Sequence, residues 1–187
     1  AQVFANVLRD ALAGSREDSD LLLPRQDLSR LFPEAAAEWV KARNGCIRLG
    51  ETTRRLDALG QKIKLETTAG TEAFDGVILA IGPHQFDAIA LPDGLRGPAF
   101  SYEPITTVYF HFNVPVRLPA LMLGQAVGCA QWFFDRSGIA GFAGGESTIA
   151  AVISATGEHS KMDQEQMVAA LLRELTIHVT DLPNPAW

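Results

Sequence analysis

The chain has 187 residues, 47% of them hydrophobic and 20% charged, which is the make-up of one large or two small globular domains. Its net charge of −6, with Arg54-Arg55 as the only basic cluster, argues against a nucleic-acid partner, because no stripe is available to neutralise phosphates. Cys46 and Cys129 match no zinc spacing, no apolar run reaches the roughly 20 residues of a membrane span, and no signal peptide is visible, so the expected setting is cytoplasmic.

A helical pattern already runs at the start of the chain. Val3, Phe4, Val7, Leu8, Ala11 and Leu12 make one apolar stripe that ends near Gly14, with no capping residue before it. Residue 1 is not Met, and the chain closes on Pro183-Asn184-Pro185-Ala186-Trp187; both ends lead us to expect a piece of a longer protein. Ser15–Asp20 reads as a polar loop, Leu21–Pro24 as an apolar arm, and Gln26–Leu31 as a turn of helix. Pro33–Val40 is a better helix, with Pro at its first position and an acid behind it.

Asn44-Gly45 turns the chain into its most patterned stretch. Strands are expected at Cys46–Leu49, Thr53–Leu59, Ile63–Thr68 and Phe74–Ile81, with Gly60 and Ala69-Gly70 as turns: a meander feeding a strand. The run Gly76–Ile81 is continuously apolar and stops at Gly82-Pro83. It reads as a central strand buried on both faces, ending where open α/β sheets place ligands. Both cysteines fall in strand-like runs and are expected to be buried, reduced core residues. His84–Ala90 is a short helix candidate.

In the second half, Ile105–Asn113 alternates, with Thr107, Tyr109 and His111 on one face and Val108, Phe110 and Phe112 on the other. Leu121–Leu123 is an apolar link. Gly128–Asp135 and Thr148–Ala155 are two further strands, and Gly138–Gly145 between them is a flexible glycine-rich loop. The last helix, capped by Ser160 or Asp163, carries Val168, Leu171, Leu172, Leu175 and Val179 at a 3.6-residue period and ends by Pro183. The expected second half is a sheet of three or more strands with a helix on one face.

Chemistry is sparse in the residues. There is no phosphate loop, GxGxxG, HExxH or serine nucleophile elbow, and His84, His111, His159 and His178 have no metal spacing, so no metal site is expected. His111 stands among aromatics, yet no carboxylate lies at a sequence spacing that would orient it. The aromatic set Tyr102, Tyr109, Phe110, Phe112, Trp132, Phe133 and Phe134 is open to two readings: core packing, or one wall of a large apolar substrate pocket. The residues name no catalytic group, and a non-enzymatic binding or interaction domain fits them as well as an enzyme.

Several segments together carry a resemblance: NVLRDAL, SDLLLPRQDLSRLFP, the meander ending DGVILAIGP, YEPITTVYFHFN and GCAQWFFDR. They resemble the middle of the FAD-dependent amine oxidase and phytoene desaturase superfamily. Its squalene-associated branch, the hydroxysqualene dehydroxylases, is the nearest in pattern. The resemblance implies an α/β fold in which an antiparallel meander, residues 44–83, belongs to a split FAD domain. Residues 1–43 would be a helical segment of the substrate domain, and residues 84–187 its mixed sheet and last helix. It implies FAD held in part by Thr53, Ala80, Ile81 and Gly82, and a substrate pocket walled by Tyr109, Phe110, Phe112, Trp132 and Phe134. It further implies a flavin that exchanges a hydride with an apolar isoprenoid of the hydroxysqualene or squalene type. An amine oxidase or a carotenoid desaturase would share the same meander. Peripheral association of the parent protein with a membrane is also implied. The superfamily's N-terminal GxGxxG unit and C-terminal flavin motif are both missing from these 187 residues, so the chain alone is expected not to bind FAD.

Overall fold

A computed structural model describes residues 2–141 and 144–186. Phe142 and Ala143 of the glycine-rich loop, the side chains of Val3 and Phe4, and Trp187 lie outside the described residues. The chain is a mixed α/β protein with two antiparallel sheets, and it divides into two compact units. One consists of Ala1–Ala35 with Glu103–Trp187; the other is Ala36–Tyr102.

The first unit opens with α1 (Gln2–Leu12), and α2 (Leu28–Leu31) follows the extended arm that ends at Pro24. Asp27 starts α2 by accepting hydrogen bonds from the Ser29 and Arg30 amides, 3.0 and 3.1 Å away. α3 (Pro33–Lys41) begins at the expected proline and crosses the boundary between the units. The sheet of this unit is built from β4 (Ile105–Phe112), β5 (Met122–Gly124), β6 (Trp132–Asp135) and β7 (Ser147–Ser154), in the order β4-β7-β6-β5. β5 is the segment that the sequence presents only as an apolar link.

β4 and β7 alternate cleanly, so their pairing fixes which side chains share a face. Val108, Ala151, Phe133 and Leu123 stand opposite one another across the four strands. With Phe110, Phe112, Ile149 and Ile153 they form the side on which α5 (Gln164–Leu175) packs, through Leu171 and Leu175. Asp163 is the residue that caps α5: its carboxylate accepts from the Gln166 amide at 2.8 Å, and the Gln166 side chain accepts from the Asp163 amide at 3.1 Å. The expected loop from Gly138 is helical at its start. α4 (Arg136–Ala140) is begun by Asp135, which accepts from the Gly138 amide, and stopped by Gly141 at φ 70°.

The second unit contains the meander β1 (Thr53–Leu59), β2 (Lys62–Thr67) and β3 (Gly70–Phe74). Gly60, at φ 63°, makes the first turn possible. The free edge of β1 is met by Ala90, which exchanges backbone hydrogen bonds of 2.9 Å with Arg54 and Leu56. The short helix expected at His84–Ala90 is present as a 3₁₀ helix, Pro83–Ala88.

Two expected strands are not formed. Residues 46–49 and 76–81 are irregular, and Leu49 and Ile78 are 89% and 93% exposed. An apolar run becomes a central strand only where strands on both sides accept its ladder, and no described strand flanks either segment. Cys46, in the first of these segments, is therefore exposed, and Cys129, in the connection before β6, is only half buried, against the expectation of two core thiols. Burial first, and then the Glu174 carboxylate beside it, push the Cys129 thiol above its ordinary range. We expect iodoacetamide at mildly alkaline pH to label Cys46 about tenfold or more faster than Cys129, as peptide mapping by mass spectrometry would show. Equal rates would mean that the loop carrying Cys129 is open in solution.

Candidate functional site

The sheet of the first unit has one face closed by α5, so its other face is the candidate site. Strand pairing places Tyr109, Ala150, Phe134 and Met122 side by side on that face, with Thr107, Val152, Trp132 and Gly124 as the next row. Gly124 matters here. A Cβ built on it would lie 2.8 Å from the Trp132 ring, so the indole lies across the glycine. Tyr109, on the edge strand β4, is 51% exposed, and Trp132, on the inner strand β6, is 39% exposed, an unusual state for an aromatic inside a sheet.

The five residues expected to wall a substrate pocket are thus divided. Tyr109, Trp132 and Phe134 share the open face. Phe110 and Phe112, 2% and 0% exposed, point the other way, into the core beneath α5. The alternation of β4 already separates Tyr109 from its two Phe neighbours. What the sequence leaves open is which face the last helix covers.

Beyond Tyr109 the open face runs into a cleft of about 1000 Å³, lined by the end of β4, by α4, by the approach to β7 and by the segment Pro24–Arg30. His111 is among its lining residues. The ring Nδ1 is 3.3 Å from the Thr148 hydroxyl, and Nε2 is 3.7 Å from a Glu146 carboxylate oxygen. The Thr148 hydroxyl is within hydrogen-bond reach of the ring, whereas the Glu146 oxygen, on a side chain 70% exposed, lies beyond it. The sequence offers no carboxylate at a spacing that would orient His111; the fold brings Glu146 near it and a hydroxyl, that of Thr148, within hydrogen-bond reach. Thr148 is 37 residues away in sequence and is brought opposite His111 by the β4–β7 register. Ser137 supports the same wall, its hydroxyl accepting from the Thr148 amide at 2.9 Å. Among the described residues, no group of three His, Cys, Asp or Glu forms a metal set.

The residues expected to hold FAD lie in the second unit. Thr53 opens β1 opposite Thr67, and the ladder slips between Thr53 and Arg55. Ala80 and Ile81 sit in irregular chain, and the Gly82 amide donates to its own neighbour, the Gln85 side chain, at 2.9 Å. A Cβ on Gly82 would lie 2.6 Å from the His84 ring, so the space beside that glycine is filled by the chain itself. No strand pairing or hydrogen bond joins Thr53 to residues 80–82 among the described residues. A bound pyrophosphate needs converging free amides at a helix N-terminus with close backbone approach. These residues offer at most a backbone edge for the adenine end, so by themselves they do not fit the cofactor.

No family model and no curated protein matches the chain. Solved structures do. A double mutant of putrescine oxidase, from a redesign of cofactor binding, superposes with a TM-score of 0.60 at 14% identity, covering 83% of this chain and 37% of its own. Wild-type putrescine oxidase bound to putrescine gives 0.56 at 14%, with 80% and 35% covered. A candidate protoporphyrinogen oxidase from Exiguobacterium sp. 255-15 gives 0.54 at 18%, with 82% and 37% covered. The chain therefore spans well under half the length of these structures, and over that span it shares their fold.

Proposed function

We propose that this chain is the central part of an FAD-dependent oxidoreductase, the first unit supplying the substrate wall and the second a piece of the cofactor domain. The observation that carries the reading is the shared fold with putrescine oxidase over 83% of the chain, more than either unit alone can account for. The flavin, when present in the parent protein, would carry the redox chemistry; the residues described here bind and orient. Tyr109, Phe134 and Trp132 form an aromatic surface suited to a long apolar chain. The segments SDLLLPR, YEPITTVY and QWFFDR favour an isoprenoid of the hydroxysqualene or squalene type over an amine. Among the described residues no helix is long and apolar enough to cross a membrane, and peripheral association of the parent protein with a membrane surface is part of the proposal.

The test compares the full-length gene product with these 187 residues. The first should carry flavin absorbance that responds anaerobically to an isoprenoid substrate and not to putrescine, bleaching if the substrate gives up a hydride or, with the flavin reduced beforehand, regaining colour if the substrate accepts one; the second should be colourless. In the full-length protein, Trp132→Ala should raise the isoprenoid KM about tenfold, the loss of roughly 1.4 kcal/mol of apolar contact. Stoichiometric flavin on the isolated chain would refute the half-site reading, and a full-length product without flavin would end the oxidoreductase reading.

A further inference from the structure

The lining of the cleft beside the aromatic rows carries an excess of positive charge, unlike the chain as a whole. Three arginines line it, Arg25 and Arg30 from the segment before and within α2 and Arg136 from α4, in a protein whose net charge is −6. Two carboxylates line it as well, Asp27 and Glu146. Asp27 accepts the Ser29 and Arg30 amides and pairs with the Arg30 guanidinium at 3.7 Å, while Glu146 faces His111. Among the described residues Arg25 and Arg136 make no ion pair, although they line one cleft from separate elements. Like charges gathered at one concave surface repel one another unless an anion joins them, and guanidinium groups match phosphate and carboxylate oxygens in pairs. Tyr109, His111 and Asn113, three alternate positions along and just past β4, join this basic wall to the aromatic rows.

We propose that the cleft is an anion subsite, in which Arg25 and Arg136, with Arg30 beside them, hold a phosphate or carboxylate at the end of an apolar chain lying over Tyr109 and Phe134. The proposal rests on the preceding reading only in placing the substrate on this face. It keeps the long apolar chain but departs from the neutral hydroxysqualene or squalene type, replacing it by a substrate that carries an anionic group at one end. A neutral isoprenoid would use the aromatic rows and leave the arginines unemployed. Arg25 and Arg136 are both exposed, so replacing them should leave the fold intact.

The test needs no flavin. Decyl phosphate, decanoate, decanol and inorganic phosphate are titrated into the full chain by calorimetry at low salt. Decyl phosphate or decanoate should bind about tenfold or more tightly than decanol, and the margin should shrink as salt is raised. Whichever anion binds more tightly names the head group, and both should exceed inorganic phosphate, which lacks the chain. The Arg25→Gln/Arg136→Gln double variant, with its thermal midpoint checked, should bind decyl phosphate no better than decanol. Equal affinity for decyl phosphate and decanol in the unmodified chain would overturn the proposal. So would a salt-independent margin, or one that survives in a folded double variant. Because this readout is equilibrium binding, its failure leaves the flavin spectrum of the full-length protein, and so the oxidoreductase reading, to be judged separately.

Discussion

Phe112→Ala will destabilise the first unit by about 3–5 kcal/mol, whereas Tyr109→Ala, three positions earlier on the same strand, will cost less than about 1 kcal/mol. Both residues are large aromatics on β4, and composition alone would rank them together. Phe112 is fully buried, in a cluster with Phe110, Phe133, Ile149, Leu171 and Leu175, and truncating it opens a cavity under α5 that rigid strands cannot close. Tyr109 is 51% exposed and has only one flank to lose. Urea denaturation followed by circular dichroism separates the two. Phe112→Ala should shift the midpoint far more than Tyr109→Ala, with a similar slope. Ligand binding should show the reverse order, with Tyr109→Ala weakening apolar ligands in a chain of near-normal stability. Equal midpoints for the two variants would mean that α5 does not close that face in solution.

The reason these two residues separate also explains what could be read from the sequence. A period of two in ITTVYFHF and of 3.6 in VAALLREL are local signals: the first gave β4, at Ile105–Phe112, to within a residue, and the second gave the start of α5, just after Asp163, but not its end, since the helix stops at Leu175 and Val179 lies beyond it. Cross-strand register is not local. Nothing near His111 announces Thr148 or Glu146, because the partner is selected by which residue of β7 falls opposite, and a shift of one would present a different face. β5 is three residues long, too short for alternation to register. The run 76–81 failed for a different cause. Continuous apolarity signals a strand that needs neighbours on both edges, a property of the sheet rather than of the segment, and no described strand supplies one. The site followed the same division. The aromatic positions were legible as a set, while their partition into core and open face, and the basic cleft beside them, required the fold.

Glu174→Ala should cost about 2–4 kcal/mol, the second large effect, and should act on one loop first. The Glu174 carboxylate accepts three hydrogen bonds from residues 125–130, the connection between β5 and β6. The Cys129 amide donates at 2.6 Å to one oxygen, and the Ala130 amide at 3.1 Å and the Gln125 side chain at 2.7 Å donate to the other. The backbone is shaped to it: Gly128 sits at φ 124°, and a Cβ there would come within 2.7 Å of the Glu174 carboxyl carbon. The Gln125 carbonyl oxygen in turn lies 2.9 Å from His178 Nε2, whose ring packs against Phe133 with centroids 6.0 Å apart. Removing the carboxylate leaves two amides without an acceptor in a half-buried place, and that desolvation sets the size of the effect. Glu174→Gln keeps one acceptor oxygen but turns an amide group toward a backbone donor, so it should fall between the natural residue and Ala. Amide hydrogen exchange gives the decisive readout. In Glu174→Ala, protection should fall at Cys129 and Ala130 while Ile149 and Ala151, in the middle of β7, keep theirs. A uniform loss across the sheet would instead make Glu174 part of the global core. Since β6 carries Trp132 and Phe134 directly after this loop, loosening it should also blur the aromatic half of the open face, and Glu174→Ala should weaken apolar ligands without touching a residue of that face.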